Sequence, residues 1–230
     1  MDAEPFTLEV KHETPALVTA PAYGTLDLRR VDCMDMMAEF PDGYFDLAIV
    51  DPPYGIGMSG GNVGYKGNNN LPRKDWDNQI PPFEYFIELK RVSKDQIIWG
   101  ANYFPTVWPM KSWIVWDKGE GFKGRTYAEG ELAVTSHEKN AKIFKHDPLS
   151  SRDYVGKIHP TQKPVALYQW LLANYAKPGQ RILDTHLGSG SHAIACYYAG
   201  MHLTACEIDE DYFKAASERI ERETAQTVLF

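Results

Sequence analysis

The chain has 230 residues, 43% of them hydrophobic and 24% charged, a balance typical of a globular protein with one buried core. Its three cysteines, Cys33, Cys196 and Cys206, show no metal-like pairing, which argues against a zinc site or a disulfide framework and for a reducing compartment. No apolar run approaches membrane-spanning length and no signal pattern opens the chain, so we expect a cytoplasmic protein without membrane contact.

The net charge of −7 does not suggest nucleic acid as a partner, but the charge is unevenly distributed. Residues 61–157 carry a net charge of +3, whereas residues 1–60 carry −8 and residues 158–230 carry −2. A surface that follows a phosphate backbone is therefore expected in the middle of the chain. Ordinary variation in surface charge explains a difference of this size equally well.

The first 24 residues contain Pro5, Pro15 and Pro21 and little periodicity, which predicts an arm wrapped on the domain or on a second subunit. The pattern that follows predicts a strand over residues 26–31 and a short helix with Met34, Met37 and Phe40 on one face. Residues 47–50 form a short apolar run between an aspartate and a proline pair, which is typical of a buried parallel strand.

Asp51, Pro52, Pro53 and Tyr54 follow this buried run. The prolines fix φ and cannot donate to a sheet ladder, so the strand must end there. Ligands of open α/β sheets bind beyond the carboxyl ends of the strands, where Asp51 and Tyr54 are then expected. An ordinary strand exit, with a capping aspartate and a half-buried tyrosine, accounts for the same four residues.

Residues 57–79 are rich in glycine and asparagine, and the segment is too long for a passive connection. It predicts a mobile loop beside the Asp51 strand. A helix is expected over residues 82–93, with a buried side formed by Phe83, Phe86, Ile87 and Leu89. Further strands are expected at residues 96–103, 112–116 and 131–135, and the last of these is expected to be antiparallel.

In the last third, Leu187 to Ser191 forms a glycine turn between a predicted strand, residues 181–184, and the next helix. This geometry brings backbone close to a ligand, although a turn that only packs helix on sheet fits as well. The turn is not Gly-x-Gly-x-x-Gly and has no phosphate-loop lysine, so a dinucleotide or triphosphate fits poorly. Glu207, roughly 20 residues later, is placed to bind ribose hydroxyls.

Four motifs now stand in a defined order: Asp51-Pro-Pro-Tyr54, His159-Pro-Thr-Gln-Lys-Pro164, Asp184-Thr-His-Leu-Gly-Ser-Gly190, and Glu207. Together they resemble the beta group of DNA amino-methyltransferases, the N6-adenine and N4-cytosine family, in which the catalytic motif precedes the cofactor motif. Thr185-His186 stands where that family usually has Pro-Phe, and this variant resembles the phage-like branch. The resemblance covers Leu26 to Tyr212.

The resemblance implies one α/β domain over residues 25–230 with a Rossmann-like methyltransferase fold and circularly permuted motif order. The sheet would have seven strands, mostly parallel with one antiparallel, and the Asp51 and Asp184 strands would be adjacent at its centre. Residues 1–24 would be an arm, residues 57–79 a mobile loop, and residues 118–157 a small target-recognition insertion.

The implied function is S-adenosylmethionine-dependent methylation of the N6 amine of a flipped adenine in DNA, within restriction-modification, in a bacterium or a phage-infected cell. The catalytic residues would be Asp51, Pro52, Pro53 and Tyr54. The cofactor would contact Asp32, Asp51, Thr161, Gln162, Lys163, Asp184, His186, Gly188, Ser189, Gly190, Ser191, Glu207 and Ile208. DNA would contact Lys66, Arg73, Lys74, Lys118, Lys123 and Arg125. A metal is not needed, because the sulfonium charge is lost during transfer. A homodimer is possible.

The chemistry supports this resemblance independently, because an exocyclic amine is a poor nucleophile whose lone pair is delocalised into the ring. The Asp51 carboxylate and the Pro52 carbonyl can accept its two hydrogens from one rigid turn and free the lone pair. Tyr54 would stack on the flipped base.

Alternatives to this interpretation remain open. N4-cytosine is the first alternative, although cytosine enzymes of the family more often carry Ser before Pro-Pro, so Asp51 favours adenine. RNA as substrate, a catalytically silent nucleic-acid-binding subunit, and His186 as a catalytic base are the others.

Overall fold

The computed structural model describes residues 23–62, 70–104 and 112–225. The predicted arm, except for Tyr23 and Gly24, lies outside these residues, and so does Lys66.

The described residues form ten strands and five α-helices in one α/β arrangement. The strands are β1 (Thr25–Arg29), β2 (Phe45–Val50), β3 (Gly61–Asn62), β4 (Asn70–Leu71), β5 (Ser93–Trp99), β6 (Ser112–Asp117), β7 (Gly130–Thr135), β8 (Lys142–Lys145), β9 (Arg181–Asp184) and β10 (His202–Cys206). The helices are α1 (Cys33–Ala38), α2 (Phe83–Val92), α3 (Val165–Tyr175), α4 (Ser191–Tyr198) and α5 (Glu210–Ala225). Strands β3 and β4 pair only with each other, and the main sheet has the order β1-β10-β9-β2-β5-β7-β6-β8.

The core lies on both faces of the main sheet, because successive side chains of a strand point to opposite faces. In β2, Leu47 and Ile49 pack into one buried cluster with apolar residues of α3, α4 and α5. Ala48 and Val50 pack into a second cluster with apolar residues of α1 and α2. A strand covered on both faces must be apolar throughout, which explains the continuous run that the sequence shows.

The two strands that precede Asp51 and Asp184, β2 and β9, are parallel neighbours, with Leu47 opposite Ile182. Strand β7 runs antiparallel to both of its neighbours, β5 and β6. The predicted fold class is thus confirmed, including its single antiparallel strand in the main sheet. The strand count differs, because β8 adds an eighth strand parallel to β6 at the sheet edge. Its four residues are too few to establish a recognisable period.

Two further details differ from the expected elements. On α2 the buried residues are Tyr85, Phe86, Leu89 and Val92, whereas Phe83 and Ile87, expected inside, are exposed. Strand β5 ends at Trp99 rather than residue 103, since Gly100 has a φ of +74° and starts a 3₁₀ turn over Ala101–Tyr103. None of the described helices is long and apolar enough to cross a membrane.

Candidate active site

Asp51 lies directly after β2, and both of its carboxylate oxygens are engaged. Oδ1 accepts a hydrogen bond from the Tyr54 hydroxyl at 2.5 Å, and Oδ2 accepts one from Lys163 Nζ at 2.6 Å. The side chain is only 15% exposed. Burial raises the pKa of Asp51, and the charge of Lys163 opposes this rise. The Asp51 side chain is therefore held in one orientation by two hydrogen bonds at the wall of a mostly buried site.

The Tyr54 ring is fixed by its packing as well as by its hydroxyl. It stacks on Tyr103, with 4.9 Å between ring centroids and 16° between ring planes. It also lies so close to Gly100 that a Cβ there would come within 2.1 Å of the ring. A side chain at position 100 would displace Tyr54, so the strand end of β5 requires glycine.

The turn after Tyr54 is anchored by Asp77, a buried residue of the segment that follows β4. Its Oδ1 accepts the backbone N–H groups of Tyr54 and Gly55 at 2.7 and 2.9 Å. Its Oδ2 accepts the N–H of Met58 at 2.7 Å. Three charge-assisted hydrogen bonds thus fix the backbone that carries Tyr54.

Lys163, which the resemblance assigns to the cofactor, lies between two carboxylates. Its Nζ is 2.6 Å from Asp51 and 2.9 Å from Glu131, a residue of β7. Glu131 also pairs with Lys118 at 2.7 Å. Although burial works against it, the charges of Lys163 and Lys118 lower the pKa of Glu131 to about 2. Four charges of alternating sign therefore line one side of the site.

A cavity of about 460 Å³ opens in front of these residues. Its walls include the segment from Asp51 to Tyr54 and residues 125–128, and also Trp76, Tyr103, Tyr154 and Lys157. Aromatic and apolar walls with a few convergent polar groups are the usual form of a small-ligand pocket. The volume and the aromatic lining suit a planar ring beside Asp51.

The glycine turn between β9 and α4 lies beside the carboxyl end of β10, and Glu207 joins the two. Its Oε2 accepts the N–H of Gly188 and its Oε1 accepts the N–H of Asp209, both at 3.0 Å. Gly188 has a φ of +54°, and a Cβ built there meets no heavy atom closer than 3.7 Å. Next to Glu207, the side chain of Ile208 is 65% exposed. A left-handed glycine, a carboxylate and an exposed apolar side chain thus lie close together at the ends of β9 and β10.

Asp184 ends β9, and His186 lies between β9 and the glycine turn. Asp184 accepts the N–H of His186 at 3.0 Å and faces His192 Nδ1 at 2.9 Å. His186 Nδ1 is 2.9 Å from the Thr185 hydroxyl, which in turn is 2.6 Å from the Tyr85 hydroxyl. Burial lowers the pKa of His186 to about 4, so its imidazole is neutral at pH 7.

Several residues predicted to contact the cofactor are engaged within the protein. Asp32 caps α1 by accepting the N–H of Met34, and Gln162 bonds the backbone of Ile158 and Asp153. The Thr161 hydroxyl is 3.2 Å from His159 Nδ1. The end of the glycine turn faces α5: Arg219 donates to the Ser189 carbonyl and the Ser191 hydroxyl, and Gly190 packs on Ile220.

The predicted DNA-contacting residues fall into two groups. Lys74 pairs with Asp209 and Asp211, Lys118 is buried and pairs with Glu131, and Lys123 pairs with Glu120. Arg73 and Arg125 are exposed, and neither has an ion pair among the described residues. Arg125 also lines the cavity.

Sequence reasoning missed Asp77, Glu131, Gly100 and Tyr103. Asp77 stands in a polar loop and Glu131 at a strand start, and neither position has a local pattern of its own. The Trp-Gly-Ala-Asn-Tyr segment offered a signal, since a glycine at the end of a buried strand often permits close approach of another group. The described residues contain no group of three or more candidate metal ligands.

The chain matches a family model over residues 102–218, and the description of that family is DNA methylase of the N6/N4 class. The chain belongs to the N6/N4 DNA methylase family. The match includes the segment that carries Glu131, Lys163, the glycine turn and Glu207. Among curated relatives, the type II methyltransferase M.HpaI of Haemophilus parainfluenzae is 26% identical to this DNA methylase over 225 residues, covering 77% of this chain and 68% of M.HpaI.

Solved structures of low identity share the fold. The complex of M1.HpyAVI with SAM gives a TM-score of 0.57 at 18% identity and covers 85% of this chain and 99% of that chain. The cytosine-N4-specific PvuII DNA methyltransferase gives a TM-score of 0.55 at 12% identity, covering 89% and 93% of the two chains. The methylase fold therefore extends over nearly all of the described residues.

Proposed function

We propose that this DNA methylase transfers a methyl group to the N6 amine of an adenine flipped out of DNA, and that it is a beta-group enzyme of the phage-like branch. The observation that carries the proposal is Asp51, held at the end of β2 by Tyr54 and Lys163, facing the 460 Å³ cavity. Aspartate rather than serine before the proline pair favours adenine over cytosine.

The chain's own groups are suited to activating an amine. Each Asp51 oxygen has a lone pair beyond the bond that it already accepts, so the carboxylate can still accept an amine hydrogen. The Pro52 carbonyl, one residue on, can accept the second hydrogen and free the nitrogen lone pair. The nitrogen would form the new C–N bond as the C–S bond breaks and leaves a neutral thioether; it would thereby gain positive charge and release a proton towards Asp51. The carboxylate therefore acts mainly as the transition state is approached.

The cofactor is S-adenosylmethionine, which supplies an electrophilic methyl group on a sulfonium sulfur. We place this group beside the glycine turn, where Gly188 has a positive φ and the Glu207 oxygens are bonded only to backbone N–H groups. We assign Glu207 to the ribose hydroxyls and the exposed Ile208 to the adenine ring, which apolar contact would stabilise. Asp51 and Asp184 follow the neighbouring parallel strands β2 and β9, so both lie at the same edge of the sheet.

Methylation of DNA followed by nucleoside mass spectrometry tests the proposal. Wild-type protein should produce N6-methyldeoxyadenosine, and Asp51→Ala should produce none while binding S-adenosylmethionine within a few-fold of wild type by calorimetry. The matched control is Asp35→Ala, an exposed aspartate of α1, which should retain full activity.

Other products would correct the proposal in defined ways. N4-methyldeoxycytidine would reassign the base, and methylation of RNA alone would reassign the polymer. Cofactor binding without transfer to any nucleic acid would indicate a non-catalytic subunit. Near-full activity of Asp51→Ala would overturn the assigned mechanism.

A further inference from the structure

Asp51, Lys163, Glu131 and Lys118 form a chain of alternating charges at the wall of the cavity. The successive N–O distances are 2.6, 2.9 and 2.7 Å. The four residues come from separate parts of the sequence: the end of β2, the loop before α3, the first half of β7 and the turn after β6. Removing any one of them would leave a charge unbalanced in a mostly buried site, which is costly.

Lys163 has three ammonium hydrogens, and three acceptors surround it. They are Asp51 Oδ2 at 2.6 Å, Glu131 Oε2 at 2.9 Å and the Tyr54 hydroxyl at 3.3 Å. The side chain is 3% exposed and passes over the rings of Tyr54 and Trp99. Lys163 is therefore held mainly by Asp51, with Glu131 as a second carboxylate within ion-pair distance.

Several ionisable groups act on Asp51 from the surrounding elements. Lys163 lowers its pKa, whereas Glu131 raises it, and the Tyr54 hydroxyl stabilises the charged form. Tyr168 of α3 and Asp184 of β9 also lie within electrostatic range of the site. The groups next to Lys163 and Glu131 are Lys118, Lys157 and His159.

We propose that Lys163 is a positioning residue, which keeps the Asp51 carboxylate ionised and aimed into the cavity, and that Glu131 weakens this hold by sharing the ammonium. The expected effect on methyl transfer rests on the proposed function, whereas the expected effect on the Asp51 titration does not. The inference assigns a role to a buried lysine whose ammonium group lies 2.6 Å from the Asp51 carboxylate.

Lys163 and Glu131 should shift the pH at which Asp51 titrates in opposite directions. Loss of the Lys163 charge removes the cation that favours the carboxylate, so the Asp51 carboxyl should titrate at higher pH, by about one to three pH units. Neutralising Glu131 removes a nearby negative charge and leaves Lys163 to Asp51 alone, so the same carboxyl should titrate at lower pH. A residue that merely supports the fold would not give two shifts of opposite sign.

Carbon-13 NMR of aspartate side-chain carboxyls measures the titration of Asp51 directly in the full chain. The Asp51 resonance is assigned by its absence in Asp51→Asn, and its titration is followed in wild type, Lys163→Met, Lys163→Arg and Glu131→Gln. We expect a shift to higher pH in Lys163→Met, near-recovery in Lys163→Arg, and a shift to lower pH in Glu131→Gln. Thermal unfolding and cofactor calorimetry establish that each variant is folded.

The acidic limb of the pH–rate profile for methyl transfer should move with the NMR titration. At pH 7, Lys163→Met should lose on the order of 10-fold or more in rate and recover part of it at pH 9. Unchanged Asp51 titration in both Lys163→Met and Glu131→Gln would overturn the inference. If wild type transfers no methyl group to any amine, the proposed function fails, and the NMR titration still decides the role of Lys163.

Discussion

At the scale of single residues, His186 illustrates how burial limits what a side chain can do. Its ring lies edge-on to Tyr85, at 5.6 Å between centroids, and its Nδ1 is beside the Thr185 hydroxyl. A pKa of about 4 makes it too weak a base for proton transfer near pH 7. The position is therefore better understood as an aromatic wall than as a catalytic base.

Replacing this wall with another ring should change stability more than activity. We expect His186→Phe to keep methyl transfer and cofactor affinity within a few-fold of wild type. Because the pKa of His186 lies below its ordinary value of 6.5, wild type loses stability as the pH falls from 6.5 to 4. The variant should lose less over this window, by up to about 1.4 kcal/mol per pH unit.

Urea denaturation at pH 7 and pH 5 measures the stability difference, and calorimetry measures cofactor affinity. A large loss of rate with unchanged cofactor affinity in His186→Phe would instead indicate that the imidazole takes part in the reaction.

At the scale of elements, the two glycines of the turn before α4 serve different purposes. Gly188 has a φ of +54°, and a Cβ there would lie 3.7 Å from the His159 ring, whereas a Cβ at Gly190 would lie 2.8 Å from Ile220 of α5. The first glycine thus has ordinary van der Waals space beside it, and the second lets α4 pack on α5. Both functions were open for this turn from the sequence, and the packing of α5 was needed to separate them.

The two roles predict different effects of substitution. Gly188→Asn should reduce cofactor affinity with little loss of stability, because asparagine tolerates the left-handed region. Gly190→Ala should lower the free energy of unfolding by about 2 kcal/mol, through strain and overpacking against Ile220. Calorimetry and urea denaturation of both variants separate affinity from stability. If Gly188→Asn and Gly190→Ala changed cofactor affinity and stability equally, the two glycines would not have separate roles.

Much of the fold was predictable because it is encoded locally. The continuous apolar run of β2, the proline pair after it and the glycine turn after β9 each mark a boundary within a few residues. Contacts between distant segments were not predictable in this way. The ion pair of Lys163 with Glu131, for example, depends on the position of β7 beside β5, which no local pattern shows. Likewise, α2 was predicted with Phe83 and Ile87 inside, since no local pattern shows which face meets the sheet.

At the scale of the whole molecule, the basic middle of the chain is less available to DNA than its charge suggests. Lys74 is held by Asp209 and Asp211 and lies over the Tyr212 ring at 4.5 Å, which ties the segment after β4 to the start of α5. Lys118 is committed to Glu131. Arg73 and Arg125 remain exposed, and we propose them as the phosphate contacts of this region.

A salt series distinguishes these residues. Removing one side chain that binds a phosphate should flatten the dependence of log K on log salt by about 0.9. We therefore expect flatter slopes for Arg73→Gln and Arg125→Gln, and an unchanged slope for Lys74→Gln. Lys214→Gln, an exposed lysine of α5, is the matched control. DNA affinity measured from low to physiological salt gives the slopes, and a flatter slope for Lys74→Gln would show that its ion pairs open on binding.

The neighbouring positions of β2 and β9 also have a consequence for how the chain acquires its structure. Asp46 at the start of β2 binds the backbone of Arg181, 135 positions later, and β1 pairs with β10. Contacts of such high sequence separation slow folding, because a long loop must close before they form. During synthesis, the strand that precedes Asp51 must therefore wait, with the backbone N–H and C=O groups of one edge unpaired, until β9 in the last quarter of the chain has emerged. We expect the nascent chain to need protection from aggregation during that interval, and the catalytic and cofactor-binding halves of the site to appear in a single late step.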